Sequence, residues 1–357
     1  MDRTVTKAIR IGNMIIGDNH PIAVQSMNNT DTRDVISTLR QIDRLHEAGC
    51  EITRVSIPDA EAADALCRIV KESPIPVVAD IHFDPRLALA SIANGAAKIR
   101  INPGNIKDRD ALRKIASAAK TAGIPIRVGV NSGSLSREIT DRFGGVNRES
   151  MVYSAIQAVE LMEEADFYDL VVSIKSSDPL LTIESYRQLS SQIAYPLHVG
   201  LTESGTIHEG SIRSAVAIGT LLSEGIGDTI RVSLTGDPVK EVEAAYSMLK
   251  ALSLRQHGMT LISCPTCGRT AVPLIEVAER IEDMIRDLPY HLKIAVMGCA
   301  VNGPGEAREA DIGIAGGNGE FLLFRKGVII GKVPPAEVYD VLLKAIHEIG
   351  RELHDIK

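Results

Sequence analysis

The sequence predicts an α/β protein: an N-terminal (β/α)8 (TIM) barrel followed by a smaller α+β domain. Two observations carry this. Eight short β-type runs alternate with helical segments through the first two thirds of the chain, and alternation of that length favours a barrel of parallel strands. After about residue 258 the pattern changes to short strands closed by one long helix. The strand runs are 22–27, 51–57, 76–83, 98–102, 126–131, 169–177, 196–204 and 228–234. Between them, 32–49, 60–73, 85–95, 109–123, 148–165, 182–194 and 211–227 read as helices, several ending at Gly as helix C-termini prefer. Segment 237–258 supplies an eighth helix. A doubly wound open sheet is the other reading, but no G-x-G-x-x-G follows the first strand. Beyond 258, a helix over 273–288 precedes strands over 291–299, 311–317, 320–327 and 328–333, with a Gly-rich turn at 301–306 and a last helix over 335–355. The expected domains are therefore 1–258 and 259–357.

Composition narrows the function. The 357 residues are 45% hydrophobic and 24% charged, which fits an ordinary globular chain and excludes disorder. Net charge is −7, aromatics are 3% and Trp is absent, so the footprint of a nucleic-acid binder is missing. No apolar run of membrane-spanning length occurs, and the N-terminus lacks the basic-then-apolar pattern of a secretory signal. A cytoplasmic protein is expected.

The barrel strands carry polar residues at one parity, where branched apolar residues normally fill the interior. Arg54 pairs with Ser56, Asp80 with His82, Arg100 with Asn102, Arg127 with Asn131, Ser173 with Lys175, and Arg231 with Ser233. All are expected toward the C-terminal ends of their strands, the face where such barrels hold their sites. A buried guanidinium without a partner costs several kcal/mol, so these cations need internal carboxylates or an anionic ligand. Five cations at five strands (Arg54, Arg100, Arg127, Lys175 and Arg231) favour the ligand, and guanidinium suits phosphate oxygens. A phosphate or diphosphate substrate is expected. Asn29, Thr30 and Asp31 read as loop and cap residues. Cys50 and Cys67 read as small core hydrophobes.

Three more cysteines lie near the C-terminus. Cys264-Pro-Thr-Cys267-Gly is a C-x2-C turn, and Cys299 follows some thirty residues later. A zinc ribbon needs a second C-x2-C, which is missing. Three thiolates with an incomplete fourth position suit a 4Fe-4S cluster, with Glu306 brought back by the glycines of the intervening turn as a harder, more exchangeable ligand. Zinc held by three Cys and a Glu or His is the competing metal reading, and spacing leaves both open. The glycines of 313–319 and 327–333 match neither a dinucleotide fingerprint nor a P-loop.

Taken together, VQSMNNTDT (24–32), VADIHFD (78–84), KIRINPGN (98–105), IRVGVNSGSL (126–135), SCPTCGRT (263–270) and GCAVNGPGEAREADIGIAGG (298–317) resemble the 4-hydroxy-3-methylbut-2-en-1-yl diphosphate synthase family, in its short bacterial form. The resemblance covers nearly the whole chain. It implies an oxidoreductase of the methylerythritol phosphate route to isoprenoids, which reductively opens 2-C-methyl-D-erythritol 2,4-cyclodiphosphate. It implies one 4Fe-4S cluster per chain, held by Cys264, Cys267 and Cys299, with Glu306 as a displaceable fourth ligand. By the same resemblance Arg54, Arg100, Arg127, Lys175 and Arg231 contact the diphosphate. Asp80, His82, Asn102, Asn131 and Ser233 surround the ring, and Asn302 lies where cluster and substrate meet. Glu203 matches an acidic residue proposed to handle a proton. Flavodoxin or ferredoxin is the implied electron donor. A homodimer, with one chain's cluster domain over the other's barrel, is also implied. The alternative is a phosphosugar lyase or aldolase barrel, with Lys175 as Schiff-base residue and a structural zinc domain.

Overall fold

The computed structural model describes residues 3–106, 108–286, 288–300 and 303–354. It divides into two units, Met1–Arg255 and Gln256–Lys357.

The first unit opens with an antiparallel hairpin, β1 (Ile9–Ile11) and β2 (Met14–Ile16), that sequence reading overlooked. The barrel follows as β3 (Ala23–Met27), α1 (Val35–Glu47), β4 (Ile52–Ser56), α2 (Ala60–Glu72), β5 (Val77–Asp80), α3 (Pro85–Ala93), β6 (Lys98–Ile101), α4 (Arg109–Ala122), β7 (Ile126–Asn131), α5 (Arg137–Phe143), α6 (Arg148–Glu163), β8 (Leu170–Lys175), α7 (Pro179–Ser190), β9 (His198–Val199), α8 (Ile207–Ser223), β10 (Thr229–Ile230) and α9 (Pro238–Ala251). The eight barrel strands are parallel and run in the order β8-β7-β6-β5-β4-β3-β10-β9. The ring closes through the parallel bridge Val172↔Leu197, where Val172 N donates to Pro196 O at 2.9 Å. The expected fold is the observed one.

Local chemistry starts the helices. Asp34, Asp59, Asp84, Asp108, Asp178 and Asp237 each cap an N-terminus by accepting from a backbone N–H one turn in. At α3, α7 and α9 the cap is followed by Pro, whose missing N–H costs nothing in the first turn. The helices bury their apolar stripes on the outward side chains of the strands, among them Val24, Val55, Ile99, Val128, Val172 and Val199. The hairpin packs Ile9, Ile11 and Ile16 against Ala23, Ile52, Val78 and Val171 at the N-terminal end of the barrel and closes it there.

Inward residues of such a barrel stack in layers drawn from alternate strands. Following the registers, Ile52, Lys98, Val171 and Thr229 form one layer. Gln25, Val78, Arg127 and His198 lie above it, and Arg54, Arg100, Ser173 and Arg231 above those. The mouth is the C-terminal end.

The second unit is one five-stranded sheet in the order β11 (Thr260–Ser263), β12 (Lys293–Met297), β13 (Ile312–Gly316), β14 (Phe321–Arg325), β15 (Val328–Val333). The first three strands are parallel and the last two pair antiparallel. β11 was not foreseen, because its four residues run straight into the Cys-Pro turn. Helices α10 (Leu274–Ile285) and α12 (Val338–His354) share one core with the sheet, built from Val277, Ile281, Ile294, Ile312, Leu342 and Ile346. A short α11 (Gly303–Glu306) precedes β13. No helix among the described residues is long and apolar enough to cross a membrane.

Candidate functional site

The barrel mouth opens on a cavity of about 250 Å3 lined by Arg54, Asp80, His82, Arg100, Arg127, Asn131, Lys175, Arg231 and Ser233. The structure therefore brings nine of the expected contacts to one place. Ser173, Met27, Leu201 and Thr202 complete the lining. Asn102 lies apart from it: its side-chain oxygen caps the turn Pro103–Asn105 by accepting from Gly104 N at 3.2 Å. Glu203 is exposed in the loop before α8, in a left-handed conformation (φ 52°), and is not part of the cavity lining. Asn302 falls outside the described residues. The height of Arg127 also differs from expectation. Arg127 is the second residue of β7, not one near its end, so it reaches the cavity from below.

The cations are partly paired. Asp80 takes Arg54 Nε at 3.5 Å and Arg100 Nη1 at 3.2 Å, with His82 Nε2 at 3.9 Å. Burial alone would raise the Asp80 carboxyl, but Arg54, Arg100 and Arg127 hold it down at about 2. Arg54 also aims Nε and Nη2 at Met27 Sδ. Arg231 donates Nε and Nη2 to Glu241 of α9, at 3.2 and 3.0 Å. Glu241 is buried and also accepts from Ser26 Oγ and from the backbone of Leu234.

Arg127 and Lys175 have no such partner. Both are buried, and neither makes an ion pair among the described residues. Arg127 Nε and Nη1 donate to no partner among the described residues. Burial, then the like charges Arg54 and Arg100, push Arg127 well below its ordinary value, although a guanidinium keeps its proton in proteins. Burial, then Arg127 and Arg231, push Lys175 well down too. Five cations face two carboxylates, so the mouth holds positive charge that an anion would relieve. Two glycines make the room. A Cβ on Gly129 would sit 2.6 Å from Arg100 Nε, and one on Gly200 would sit 2.8 Å from Lys175 Nζ.

Sequence reasoning missed Glu241, because a lone Glu on a helix reads as solvent-facing. It also missed Gln25, Lys98 and His198, three polar residues facing into the barrel below the mouth. The 98, 100, 102 parity of KIRIN was the available signal for Lys98.

In the second unit the cysteines gather at one sheet edge. Cys264 follows β11 and Cys299 follows β12, its paired parallel neighbour, with Ser263 opposite Val296. Gly298 N donates to Cys264 Sγ at 3.1 Å, and Ala271 N donates to Gly298 O at 2.9 Å. The segment from Cys264 to Ala271 that carries the C-x2-C pair is thus tied at both ends to the residue before Cys299. Hydrogen bonds from the backbone and then the side chain of Arg269 lower the Cys267 thiol below its ordinary range. Glu306 ends α11 and is exposed. Among the described residues, no three His, Cys, Asp or Glu side chains already converge as a finished metal site. The donor chemistry still fits a soft-ligand metal centre: three free cysteines on adjoining loops, one of them with its thiol lowered by its neighbours. The remaining two cysteines do not compete. Cys50 is buried and its thiol is pushed up to about 12 by burial. Cys67 is exposed on the outer side of α2, a correction to its expected core position.

The model of the GcpE TIM-barrel domain matches residues 6–246, and that of the GcpE protein C-terminal domain matches 260–348. The chain belongs to the GcpE family. Curated GcpE-like relatives agree with it over almost their whole length. The protein of Ruminiclostridium cellulolyticum is 55% identical over 97% of this chain and 98% of its own. That of Caldanaerobacter subterraneus subsp. tengcongensis is 54% identical over 98% and 99%. That of Geobacter sulfurreducens is 52% identical over 98% and 99%. All three are named 4-hydroxy-3-methylbut-2-en-1-yl diphosphate synthase (flavodoxin). Among solved structures, the dihydropteroate synthases of Yersinia pestis and Vibrio fischeri ES114 each superpose with a TM-score of 0.50. They are 15% and 13% identical, and each covers 69% of this chain and 98% of its own. At that identity the likeness speaks for the barrel fold alone.

Proposed function

We propose that this GcpE-family chain is an iron-sulfur oxidoreductase of isoprenoid precursor biosynthesis. It reductively opens 2-C-methyl-D-erythritol 2,4-cyclodiphosphate to 4-hydroxy-3-methylbut-2-enyl diphosphate and water, with flavodoxin as electron donor. The observation that carries this reading is the barrel mouth, with Arg127 and Lys175 buried and uncompensated, in a chain whose full-length relatives bear that enzyme's name. The family match displaces the aldolase reading of Lys175.

The residues divide the work. Arg54, Arg100, Arg127, Lys175 and Arg231 bind the diphosphate and neutralise it, with guanidinium forks suited to phosphate oxygens. Asp80 fixes Arg54 and Arg100 in the mouth. Glu241 does the same for Arg231. His82, Asn131 and Ser233 offer hydrogen bonds around the ring. Asn102, Glu203 and Asn302 are retained by resemblance, Glu203 as a group that holds or moves a proton. Ring opening leaves a terminal phosphate with one more ionised oxygen than the ring carries. The cationic mouth therefore favours the developing charge.

Cys264, Cys267, Cys299 and Glu306 would hold one 4Fe-4S cluster. When bound, such a cluster supplies single electrons and one iron whose carboxylate ligand exchanges readily. The resemblance also supports a cytoplasmic homodimer in which one chain's cluster serves the other's barrel. Restored turnover on mixing Cys264→Ser and Arg127→Ala chains supports that arrangement, and verified heterodimers without turnover oppose it.

The deciding experiment is anaerobic purification with iron, sulfide and zinc measured per chain, followed by turnover of the cyclic diphosphate with reduced flavodoxin. About four iron and four sulfide per chain, with turnover, is the expected result. About one zinc without sulfide overturns the redox reading.

A further inference from the structure

Beneath the mouth, the barrel interior holds polar groups that no protein atom satisfies. Of the ten buried side-chain atoms without a partner among the described residues, seven belong to Gln25, Lys98, Arg100, Arg127 and His198. All five residues face the barrel axis, in three consecutive layers. Buried polar atoms are rarely left unpaired, so such a concentration calls for a role.

Lys98 is the deepest of them. It opens β6 on the same inner face as Arg100 and Asn102, is 0% exposed, and its Nζ has no partner. The charged and titratable groups that face it are Arg127 of β7, Arg54 of β4 and His198 of β9. Around them, Gln25 of β3 and Thr229 of β10 are neutral, β5 and β8 present Val78 and Val171, and the hairpin presents Ile9, Ile11 and Ile16. None is a carboxylate. Asp80, the nearest carboxylate by layer, is engaged by Arg54 and Arg100. Burial, then Arg127 and Arg54, lower the Lys98 amine well below its ordinary value, and no carboxylate faces it to hold a charge there. His198 is likewise lowered, with Nδ1 against Thr229 Oγ1 at 2.8 Å.

We propose that Lys98 is the proton acceptor of substrate binding: its amine takes one proton from solvent when the cyclic diphosphate fills the mouth. The inference rests on the mouth being the diphosphate site. The arriving anion offsets Arg127 and Arg54, the two charges that oppose a proton on Lys98 beyond the effect of burial, and the Nζ lone pair then forms an N–H bond. Gln25 Oε1, in the adjoining layer, is an acceptor without a partner and suits the new ammonium. Because bound Lys98 holds its proton to higher pH than free Lys98, the gain in affinity is complete at low pH. It is lost as pH rises through the bound-state value, by up to tenfold per pH unit. Opening the ring adds a negative charge above Lys98 and keeps it protonated until product leaves. Lys98 is thus a positioning residue for charge, acting through Arg127 without touching the reacting atoms.

The test is anaerobic titration calorimetry of the cluster-loaded enzyme with 2-C-methyl-D-erythritol 2,4-cyclodiphosphate, without reductant. It is run at pH 8 in two buffers of different ionisation enthalpy. The wild type is expected to take up about one proton and Lys98→Met about none. Buffer-independent heat in the wild type overturns the inference, and so does proton uptake that persists in Lys98→Met. If Lys98→Met does not fold, the wild-type measurement and Lys98→Gln decide it on the same terms. Arg100→Ala separates the two readings. Unchanged affinity there removes the mouth as the diphosphate site, and the Lys98 inference with it. Arg100-dependent binding with no proton uptake removes Lys98 alone.

Discussion

Replacing Glu241 with Gln tests whether a helix residue outside the cavity holds the mouth together. Glu241 accepts four donors: Ser26 Oγ at 2.8 Å, Arg231 Nη2 at 3.0 Å, Leu234 N at 3.1 Å and Arg231 Nε at 3.2 Å. Two fall on each carboxylate oxygen. A glutamine keeps one oxygen and turns an NH2 toward the other two donors, whichever way it is flipped. Losing two hydrogen bonds to a charged acceptor costs about 3–6 kcal/mol. Breaking a buried ion pair by neutralising one partner costs about 3–5 kcal/mol by independent measure. Glu241 is 3% exposed, so water does little to repair the loss. At roughly 2–4 °C per kcal/mol for a unit of this size, a cost of about 3–5 kcal/mol should lower the barrel's thermal transition by about 6–20 °C. Circular dichroism of wild type and variant measures this, and calorimetry with the cyclic diphosphate should show weaker binding, because Arg231 is no longer aimed. A double-mutant cycle with Arg231→Gln should return a coupling of comparable size. A transition within about 2 °C of wild type, with unchanged affinity, refutes the argument that Glu241 anchors Arg231.

Three further outcomes are expected. Asp80 is held at about 2 when folded against about 3.9 when unfolded. Its contribution, about 2–3 kcal/mol, is present above about pH 4 and lost as pH falls toward 2. Denaturant unfolding of Asp80→Asn should therefore show a shallower loss of stability across that window, and parallel curves would contradict the pairing. Gly200→Ala places a Cβ 2.2 Å from Arg231 O and 2.8 Å from Lys175 Nζ. It should weaken cyclic diphosphate binding tenfold or more, about 1.4 kcal/mol, and unchanged binding would place the anion elsewhere. Cys267→Ser should lower iron and sulfide content well below that of the wild type while the exposed Cys67→Ser leaves it intact. Equal loss in both would remove the distinction drawn between the two cysteines.

The barrel was legible because its two periods are both strong. Strand runs such as IRVGVN alternate between a helix-facing and an axis-facing set, and each Asp-capped helix begins where the strand pattern stops. What escaped was short or lacked period. The β1–β2 hairpin has three residues per strand, and α5 has seven residues inside a loop. β11 spans four residues and gains its identity only from pairing with β12. Nothing local distinguishes such a segment from a turn until its partner strand is beside it.

At the site, parity carried much and then ran out. It marks which residues face the barrel axis, and so it gathered Arg54, Arg100, Asn131, Lys175 and Arg231 correctly around one cavity. It does not give height along that axis. Height depends on how each strand is shifted against its neighbour, which is a property of the closed ring. Arg127 and Lys98 each sit near the start of a strand and so lie lower than parity implied, one beneath the cavity and one beneath that. Asn102 has the right parity but turns its oxygen into the backbone loop that follows β6. Glu241 has no parity at all, since it comes from the first turn of the helix that follows β10, where it pairs with Arg231. The residues that set the charge of the mouth are therefore of two kinds. Those that line the cavity stand in strand alternation and can be read from the sequence. Those that decide whether the cations are paired or bare, Asp80 and Glu241 above and the floor of Gln25, Lys98 and His198 below, are defined by layer and neighbour. Only the folded ring shows that Arg127 and Lys175 are the cations left without an ion-pair partner among the described residues, and that is what supports the proposal that an anion binds here.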